Sequence, residues 1–278
     1  MSDNKQCQSC SSNSGGMAIE ELSRLGSLNK IKQVIAVMSG KGGVGKSTVS
    51  SLLTVELNRR GYKVGIMDAD ITGPSILRAF GIPGIPPESS EYGIEPPMTD
   101  TGIKIMSINL FLPHEDDPVV WRGPLLAGAV KQFWEETDWR DLDFMIVDLP
   151  PGTGDVPLTV LQTLPVSGIV IVSSPQELAQ MVVKKSIKMA NAIGTPIIGL
   201  VENMSHAICP HCNGEMHLFG ERRADEQILE YYGIPSLGNL PWDVHLNELM
   251  DDGRIEDYNS VNLGPLVDGV LNHGADKK

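Results

Sequence analysis

Residues Gly40-Lys41-Gly42-Gly43-Val44-Gly45-Lys46-Ser47 decide the fold of this 278-residue chain. They match the pattern G-x-x-x-x-G-K-[S/T] in full, directly after an apolar, strand-like run at 31–37. The residues that follow, 46–60, predict a helix that this turn opens. Glycines let backbone N–H groups close around phosphate oxygens, and a helix N-terminus adds its partial positive charge. The stretch therefore predicts a nucleoside-triphosphate site, and a plain strand-to-helix turn is the weaker interpretation.

Two side chains of this loop carry roles that the motif predicts, and the cofactor site is expected to extend from Gly40 to Thr48. Lys46 is placed to meet the β- and γ-phosphates, and the Ser47 hydroxyl is placed to bind Mg²⁺. The expected cofactors at this site are ATP and Mg²⁺. Lys41, just after the first glycine, is an additional lysine that the motif does not require.

Charge and composition narrow the classes of partner. The chain has 22 basic and 35 acidic residues, a formal net charge of −13. This excess of acid argues against nucleic acid or an anionic membrane as the partner. No apolar run approaches the ~20 residues of a membrane span, and the first residues lack a signal-peptide core, so we expect a cytoplasmic protein.

Apolar runs alternate with helical patterns along the chain. Several of the runs are continuous and β-branched, as is typical of parallel strands that are covered on both faces. The pattern predicts a doubly wound, mainly parallel α/β sheet of about seven to eight strands, with the site at the carboxyl ends of the strands. The expected strands are 31–37, 63–67, 103–108, 144–147, 168–172, 196–201 and 236–240; the expected helices are 46–60, 123–136, 177–192, 222–232 and 261–271.

The domain organisation follows from the same pattern. Residues 1–18 are small and polar and predict a flexible tail, and 19–278 predict a single domain. Two stretches interrupt the alternation: a proline-rich one at 81–100, and one at 204–220 that contains a cysteine pair and three histidines. Long loops inside a compact domain are more often functional than not.

Acidic residues end two of the predicted strands. Asp68 and Asp70 follow the second strand, and Asp148 ends the strand at 144–147, before a Gly- and Pro-rich segment that reaches Asp155. Carboxylates at this edge lie beside the phosphate loop, where they can hold Mg²⁺ or orient a water. The segment after Asp148 fits a switch that senses the γ-phosphate. Turns that merely follow strands are the alternative.

Together these residues resemble the deviant Walker-A class of P-loop ATPases, which includes MinD, ParA, the arsenite-pump ATPase and the nitrogenase iron protein. In that class the early lysine reaches across a homodimer to the partner's phosphates. The resemblance therefore implies a homodimer in which Lys41 acts in trans, together with Lys46 and Asp70 as the catalytic residues.

Four ordered segments narrow the resemblance to the Mrp/ApbC family of iron–sulfur cluster carrier ATPases: 121–124, 147–155, 201–204 and 209–212. The similarity covers about residues 20–250. It implies that Asn203 recognises adenine, with Pro241 and Asp243 in a loop nearby. It further implies that Asp70 orients the attacking water, and that Asp68 and Asp148 support Mg²⁺.

The family resemblance also assigns a role to Cys209 and Cys212. In the family, paired cysteines of two subunits hold one [4Fe–4S] cluster at the dimer interface, and the clients are apo iron–sulfur proteins. Thiolates are soft ligands suited to iron, and two chains supply a full set of four. A zinc site completed by His206, His211 or His217 and a thioredoxin-like dithiol remain open, as do inert buried cysteines.

A second pair, Cys7 and Cys10, lies in the predicted tail and is a departure from the simplest family members. Some relatives have an N-terminal cysteine-rich segment that binds its own cluster, usually with four cysteines. With two per chain, a cluster here again needs both subunits. Two other interpretations remain open. The pair could bind the cluster temporarily during its transfer, or the two cysteines could be incidental.

Two further function classes are compatible with the phosphate loop. A positioning switch like MinD or ParA needs a C-terminal amphipathic membrane helix or a basic DNA-binding face. The acidic charge and the polar C-terminal residues disfavour it. A reductase like the nitrogenase iron protein would couple hydrolysis to electron transfer and would need an electron acceptor.

Overall fold

The computed structural model describes the residues 29–70, 73, 75–112, 123–209, 211–212, 214–219, 229–259 and 261–275. The predicted tail at 1–18, with Cys7 and Cys10, lies outside them, as do Trp121 and Arg122. Most of the helix expected at 222–232 also lies outside, although 229–232 are helical.

A seven-stranded sheet forms the centre of the molecule, and all its pairings are parallel. Its strands are β1 (Lys30–Ser39), β2 (Val64–Asp68), β5 (Lys104–Ser107), β6 (Asp141–Asp148), β7 (Gly168–Ser173), β8 (Ile197–Glu202) and β11 (Ser236–Asn239). Their order in the sheet is β11-β8-β7-β1-β6-β2-β5. This confirms the predicted doubly wound α/β class.

Four two-residue strands form two antiparallel hairpins outside the main sheet. The first hairpin, β3 (Ser89–Ser90) with β4 (Gly93–Ile94), lies in the proline-rich stretch. The second, β9 (Ala207–Ile208) with β10 (Glu215–Met216), lies in the stretch with the cysteine pair. The sequence predicted loops for both stretches. A strand of two residues is too short to show the alternation of apolar and polar residues from which strands are predicted.

Besides the helical residues 229–232, the described α-helices are α1 (Lys46–Arg59), α2 (Ile76–Ala79), α3 (Gly123–Glu136), α4 (Asp155–Thr163), α5 (Glu177–Ile193), α6 (Val244–Asp251) and α7 (Gly264–Ala275). The first five lie between strands, whereas α6 and α7 follow β11. Sequence reasoning missed α2, α4 and α6, all of nine residues or fewer. Pro157 made the start of α4 resemble a loop, although proline is tolerated in the first turn of a helix.

Burial explains why the central strands are continuous apolar runs. The last six residues of β1 and every residue of β2 and β7 are buried, because helices cover both faces of the sheet. At the start of β1, the alternation of exposed Lys30 and Lys32 with partly buried neighbours shows where this cover ends. The core therefore holds β1 rigidly, and the phosphate loop leaves the carboxyl end of β1.

Among the described residues, no helix combines the length and the apolar character that a membrane span requires.

Candidate functional site

The loop between β1 and α1 adopts the geometry of an anion-binding turn. Gly43 and Gly45 both have φ of 76°, a left-handed conformation that favours glycine. Gly45 stands at the N-cap of α1 without a side-chain cap, and the first turn of α1 contains no acidic residue. The first N–H groups of α1 are thus available to a phosphate. The loop lines a cavity of about 310 Å³, to which Ser47, Thr48 and Asp70 also contribute.

Lys46 and Asp148 form a buried ion pair at the floor of this cavity. The Lys46 Nζ lies 2.8 Å from Asp148 Oδ2 and 3.5 Å from Asp70 Oδ2. The Asp148 side chain is fully buried, and it also accepts hydrogen bonds from Ser47 Oγ at 2.5 Å and Ser50 Oγ at 2.6 Å. The structure therefore brings together three residues that the sequence assigned to one site: Lys46, Ser47 and Asp148.

Asp68 is a buried carboxyl group whose surroundings favour its neutral form. Burial raises its pKa to about 8, and the nearby charge of Asp148 adds to this, while Lys46 opposes it. Its Oδ1 accepts the Asp70 N–H at 3.1 Å, and its Oδ2 accepts the Ile76 N–H at 3.4 Å. Two buried carboxyl groups thus lie near each other at the ends of β2 and β6, and the one that is ion-paired with Lys46, Asp148, helps to raise the pKa of the other.

The donor set fits a magnesium nucleotide. Magnesium prefers oxygen ligands and keeps several waters, which matches the Ser47 hydroxyl and the carboxylates of Asp148 and Asp68 behind it. When bound, Mg²⁺ would supply positive charge that neutralises phosphate oxygens. Asp70, beside Lys46 at the rim of the cavity, can accept a proton or orient a water.

Lys41 is on the rim of the site and is held within its own chain. Its Nζ donates a hydrogen bond to Gln176 Oε1, in the residue that caps the N-terminus of α5. The neighbouring Gly40 is packed against α5, because a Cβ there would lie 2.0 Å from Val182 Cγ1 and 2.9 Å from its carbonyl oxygen. The early part of the loop is thus fixed by α5, while its lysine remains accessible.

Asn203 contacts the loop from the end of β8. Its Nδ2 donates to the Val44 carbonyl at 3.0 Å, and the residue is 5 % exposed. The neighbouring segment with Pro241 and Asp243 is differently engaged. Asp243 caps α6 by accepting the His245 N–H at 2.9 Å, and it accepts the Tyr258 hydroxyl at 2.8 Å. Its contact with a nucleotide remains a prediction.

The cysteine pair is at the tip of the hairpin formed by β9 and β10. The Cys209 N–H donates to the Gly214 carbonyl at 2.9 Å, and Cys209 is partly exposed while Cys212 is exposed. The backbone N–H groups of His211 and Cys212 lower the pKa of the Cys209 thiol, and so does the Cys212 side chain. A thiol whose pKa is lowered is a readier metal ligand or nucleophile.

The geometry of this hairpin bears on two of the three rival interpretations, the thioredoxin-like dithiol and the zinc site. A thioredoxin-like dithiol needs a helix N-terminus, and the described residues on both sides of the cysteines form short strands and turns. The rings of His206 and His217 lie 6.3 Å apart, and His206 Nδ1 is 2.8 Å from Ser205 Oγ. Within the part of the chain that the structure describes, no group of three or more His, Cys, Asp or Glu residues is arranged to hold a metal ion.

A larger cavity, of about 620 Å³, lies at the opposite end of the strands. Lys32, Asp143 and Tyr62 are in its lining, and Lys32 is paired with Asp143 at 2.6 Å. We assign the nucleotide to the smaller cavity because that one has the positive-φ glycines, the open helix N-terminus and the buried lysine.

Comparison with known proteins identifies the family of the chain. Residues 30–265 match the model of the ParA family described as NUBPL iron-transfer P-loop NTPase. This chain belongs to that family. The iron-sulfur cluster carrier protein of Clostridium perfringens is 43% identical over 267 residues, which cover 93% of each chain. The iron-sulfur cluster carrier protein of Methanocaldococcus jannaschii is 45% identical, over 81% of this chain and 78% of that protein.

Solved structures agree with the family assignment. A nucleotide-binding protein of Archaeoglobus fulgidus, in complex with ADP, is 44% identical to this NUBPL-family chain with a TM-score of 0.76, covering 87% of this chain and 93% of that one. The cell division ATPase MinD of Pyrococcus furiosus is 21% identical with a TM-score of 0.62, covering 88% and 99%, and shares the fold. The resemblance to a family of cluster carrier ATPases, found from the sequence, is therefore confirmed.

Sequence reasoning missed two residues of this NUBPL-family site. Ser50 binds Asp148 from one turn beyond Lys46, and the signal for it was a small polar residue on the buried face of α1. Gln176 binds Lys41 across 135 positions of sequence, and no local pattern indicates such a pair.

Proposed function

We propose that this protein is a homodimeric ATPase that carries a [4Fe–4S] cluster between two subunits and transfers it to apo iron–sulfur proteins. Cys209 and Cys212 of each copy are the ligands of the cluster, which is the cargo. ATP binds at the phosphate loop with Mg²⁺. The observation that carries the proposal is an accessible hairpin with two thiols, on the same chain as a preformed phosphate loop.

The number and chemistry of the thiols support a shared cluster. One chain offers two cysteines at the hairpin, and a cubane cluster takes four thiolates. The lowered pKa of Cys209 favours the thiolate form that binds iron. Relatives that match most of this chain bear the name of iron-sulfur cluster carrier protein, which agrees with this chemistry.

Exposed apolar side chains near the cysteines support a protein-covered site. Among the described residues, Ile208 is 47 % exposed, Met216 40 %, Leu218 54 % and Phe219 40 %, and all four belong to the hairpin or directly follow it. Large apolar side chains grouped on an exposed hairpin are typical of a surface that another protein covers. In the proposal, the second subunit covers them when the cluster is bound.

The buried network supports ATP hydrolysis by positioning. Lys46 is held toward the phosphates by Asp148, and Ser47 and Asp148 would hold Mg²⁺, with Asp68 in support. Asp70 orients the attacking water. In the dimer, Lys41 leaves Gln176 and reaches the partner's phosphates, as a positive charge that stabilises the transferring group.

The test is anaerobic reconstitution with iron and sulfide. Wild type is expected to bind about four iron and four sulfide per dimer, with a cluster absorption band and the mass of a dimer. The variants Cys209→Ala and Cys212→Ala, separately and together, should lose this cluster. Cys7→Ala with Cys10→Ala is the matched control, since it removes the same number of thiols from another place.

Three results would count against the proposal. If both hairpin variants bind as much iron and sulfide as wild type, the ligands are elsewhere. If only the Cys7 and Cys10 variant loses the cluster, the N-terminal pair holds it. If purified protein binds one zinc per chain and no cluster, the hairpin is a zinc site.

A further inference from the structure

The phosphate loop and the cysteine hairpin are joined by a short piece of chain. Asn203, which contacts the loop, is only six positions before Cys209 in the sequence. Between them the chain leaves the carboxyl edge of the sheet and enters β9. A displacement of Asn203 therefore occurs only a few residues from the cysteine thiols.

Backbone hydrogen bonds extend the pairing of β8 and β11 outward, past the end of the sheet. The Leu240 N–H donates to the Glu202 carbonyl at 2.8 Å, and the Ser205 N–H donates to the Leu240 carbonyl at 2.9 Å. Further out, the Trp242 N–H donates to the His206 carbonyl at 2.6 Å. The hairpin is thus connected to the sheet by a two-stranded ribbon rather than by a single loop strand.

The ribbon contains one extra residue where it passes the phosphate loop. In a regular parallel ladder, the two residues that bond one partner residue are two positions apart. Here Glu202 and Ser205 both bond Leu240, so Asn203 and Met204 together stand where one residue would stand. This is a β-bulge, a feature that re-aims side chains beside functional sites. Met204 has φ of 58°, a left-handed conformation that is unfavourable for a residue with a Cβ.

The bulge lies against the loop, and Asn203 makes the contact. Asn203 Nδ2 bonds the Val44 carbonyl at 3.0 Å. A Cβ on Gly45 would lie 2.1 Å from Asn203 Nδ2 and 3.4 Å from the Met204 methyl carbon, so the loop backbone and the bulge are in direct contact. Because Asn203 bonds Val44 and leaves no room for a Cβ on Gly45, a shift of Val44 or Gly45 acts first on Asn203 and, through it, on Met204 beside it.

We infer that this bulge transmits nucleotide occupancy to the cysteine hairpin, with Met204 as the residue that positions the ribbon. The inference rests on the proposed function, since it describes how ATP would regulate the cargo site. A ligand that reorders the loop favours one arrangement of the bulge, and the hydrogen bonds of Leu240 and Trp242 carry that arrangement to Cys209 and Cys212. Nucleotide therefore changes the exposure of the thiols before any cluster is present.

The test measures alkylation of the empty protein by N-ethylmaleimide, with and without Mg·ATP. Peptide mass spectrometry gives the rates at Cys209 and Cys212 separately from those at Cys7 and Cys10. In wild type, ATP is expected to change the hairpin rates by about fivefold or more, the lower end of usual coupling between sites. In Met204→Gly, which relieves the left-handed residue and removes the methyl, the change should fall below about twofold. The affinity for ATP is measured alongside.

Arg140→Gly is the matched control. Arg140 is the other described non-glycine residue with positive φ, at 54°, and it precedes β6 at the opposite end of the sheet. Its replacement relieves the same kind of conformation away from the bulge. In the Arg140→Gly protein, ATP should change the alkylation rates of Cys209 and Cys212 as much as it does in wild type.

Two results would overturn the inference: a wild type whose hairpin rates ignore ATP, or a Met204→Gly protein with the full response. If Met204→Gly does not fold, Met204→Asn keeps a residue that tolerates the left-handed region while removing the methyl. An undiminished response in that variant would equally overturn it. Because the assay uses empty protein, a failure to bind iron and sulfide refutes the carrier proposal and leaves this result standing.

Discussion

The phosphate loop and the cysteine hairpin are built in opposite ways. At the loop, Lys46 is 5 % exposed and its partner Asp148 is fully buried, with two serine hydroxyls on the same carboxylate. At the hairpin, Cys212 is exposed and each of its strands has two residues. The buried network of the loop is complete within one chain, whereas in the proposed function the hairpin offers half of a ligand set. The proposal requires this difference, with a loop prepared for a small ligand and a hairpin that a second subunit covers.

The largest expected effect comes from breaking the complete site with Lys46→Ala. Without Lys46, the phosphates lose a charged hydrogen bond and Asp148 is left buried without its cation. Affinity for ATP should fall about 100-fold, as expected for the loss of hydrogen bonds to charged groups. Titration calorimetry with Mg·ATP measures it.

Lys32→Ala is the control for that change. Lys32 forms an ion pair of similar length with Asp143, 2.6 Å, but its side chain is 75 % exposed. Exposed ion pairs contribute little to stability because water and salt screen them, so both ATP affinity and stability should stay near wild type. If Lys46→Ala binds ATP as tightly as Lys32→Ala does, the loop is not the nucleotide site.

Asp68 gives a second, intermediate effect, which depends on pH. Burial and the charge of Asp148 raise its folded pKa to about 8, above its unfolded value near 4. The folded state therefore binds more protons than the unfolded state between about pH 4 and 8, so the contribution of Asp68 to stability falls as pH rises through that window. Asp68→Asn removes the titration. In EDTA, the stability of this variant relative to wild type should increase from pH 5 to pH 8.

Asp143→Asn is the control with the opposite sign. Burial pushes the Asp143 pKa upward, but hydrogen bonds from Lys32 and from the Lys63 N–H bring it below its ordinary value. Its contribution to stability is present above the unfolded pKa and is lost as pH falls. Urea unfolding at several pH values distinguishes the two. A pH-independent difference between wild type and Asp68→Asn would show that Asp68 is ionised in the empty site.

The same contrast explains how much could be predicted from sequence. The loop and the seven strands follow from local patterns, because a continuous apolar run and a glycine-rich turn each have one common structural solution. The spacing of Cys209 and Cys212 was visible in the sequence, and the family resemblance added their predicted role and that of Asn203. The bulge at Met204 could not be found in this way, since it depends on which carbonyl of β8 bonds Leu240, and register is a property of the packed sheet. The contact between Lys41 and Gln176 could not be predicted either, because it joins residues that are far apart in the sequence.

Lys41 shares features of both the phosphate loop and the cysteine hairpin. Substitutions of its hydrogen-bond partner, Gln176, test its role and have the smallest expected effect. The lysine lies on the complete site, yet its proposed role needs a second subunit, like the cysteines. The Lys41–Gln176 hydrogen bond is exposed, so losing it should make Lys41 available at little cost, and dimer-dependent ATP hydrolysis by Gln176→Ala should rise about two- to threefold. Gln176→Glu should lower hydrolysis by a similar factor, because a carboxylate holds the ammonium more strongly.

Repeating both Gln176 changes in a Lys41→Ala background separates this contact from other effects of α5. In the Lys41→Ala background, neither Gln176 substitution should change the rate of hydrolysis further. If Gln176 acts only through Lys41, its substitution has no effect once the lysine is absent. Additive effects in the double variants would mean that Gln176 acts on α5 and not through Lys41. If the Lys41→Ala protein hydrolyses ATP at the wild-type rate, Lys41 has no part in the proposed mechanism and is simply a solvated lysine on a loop.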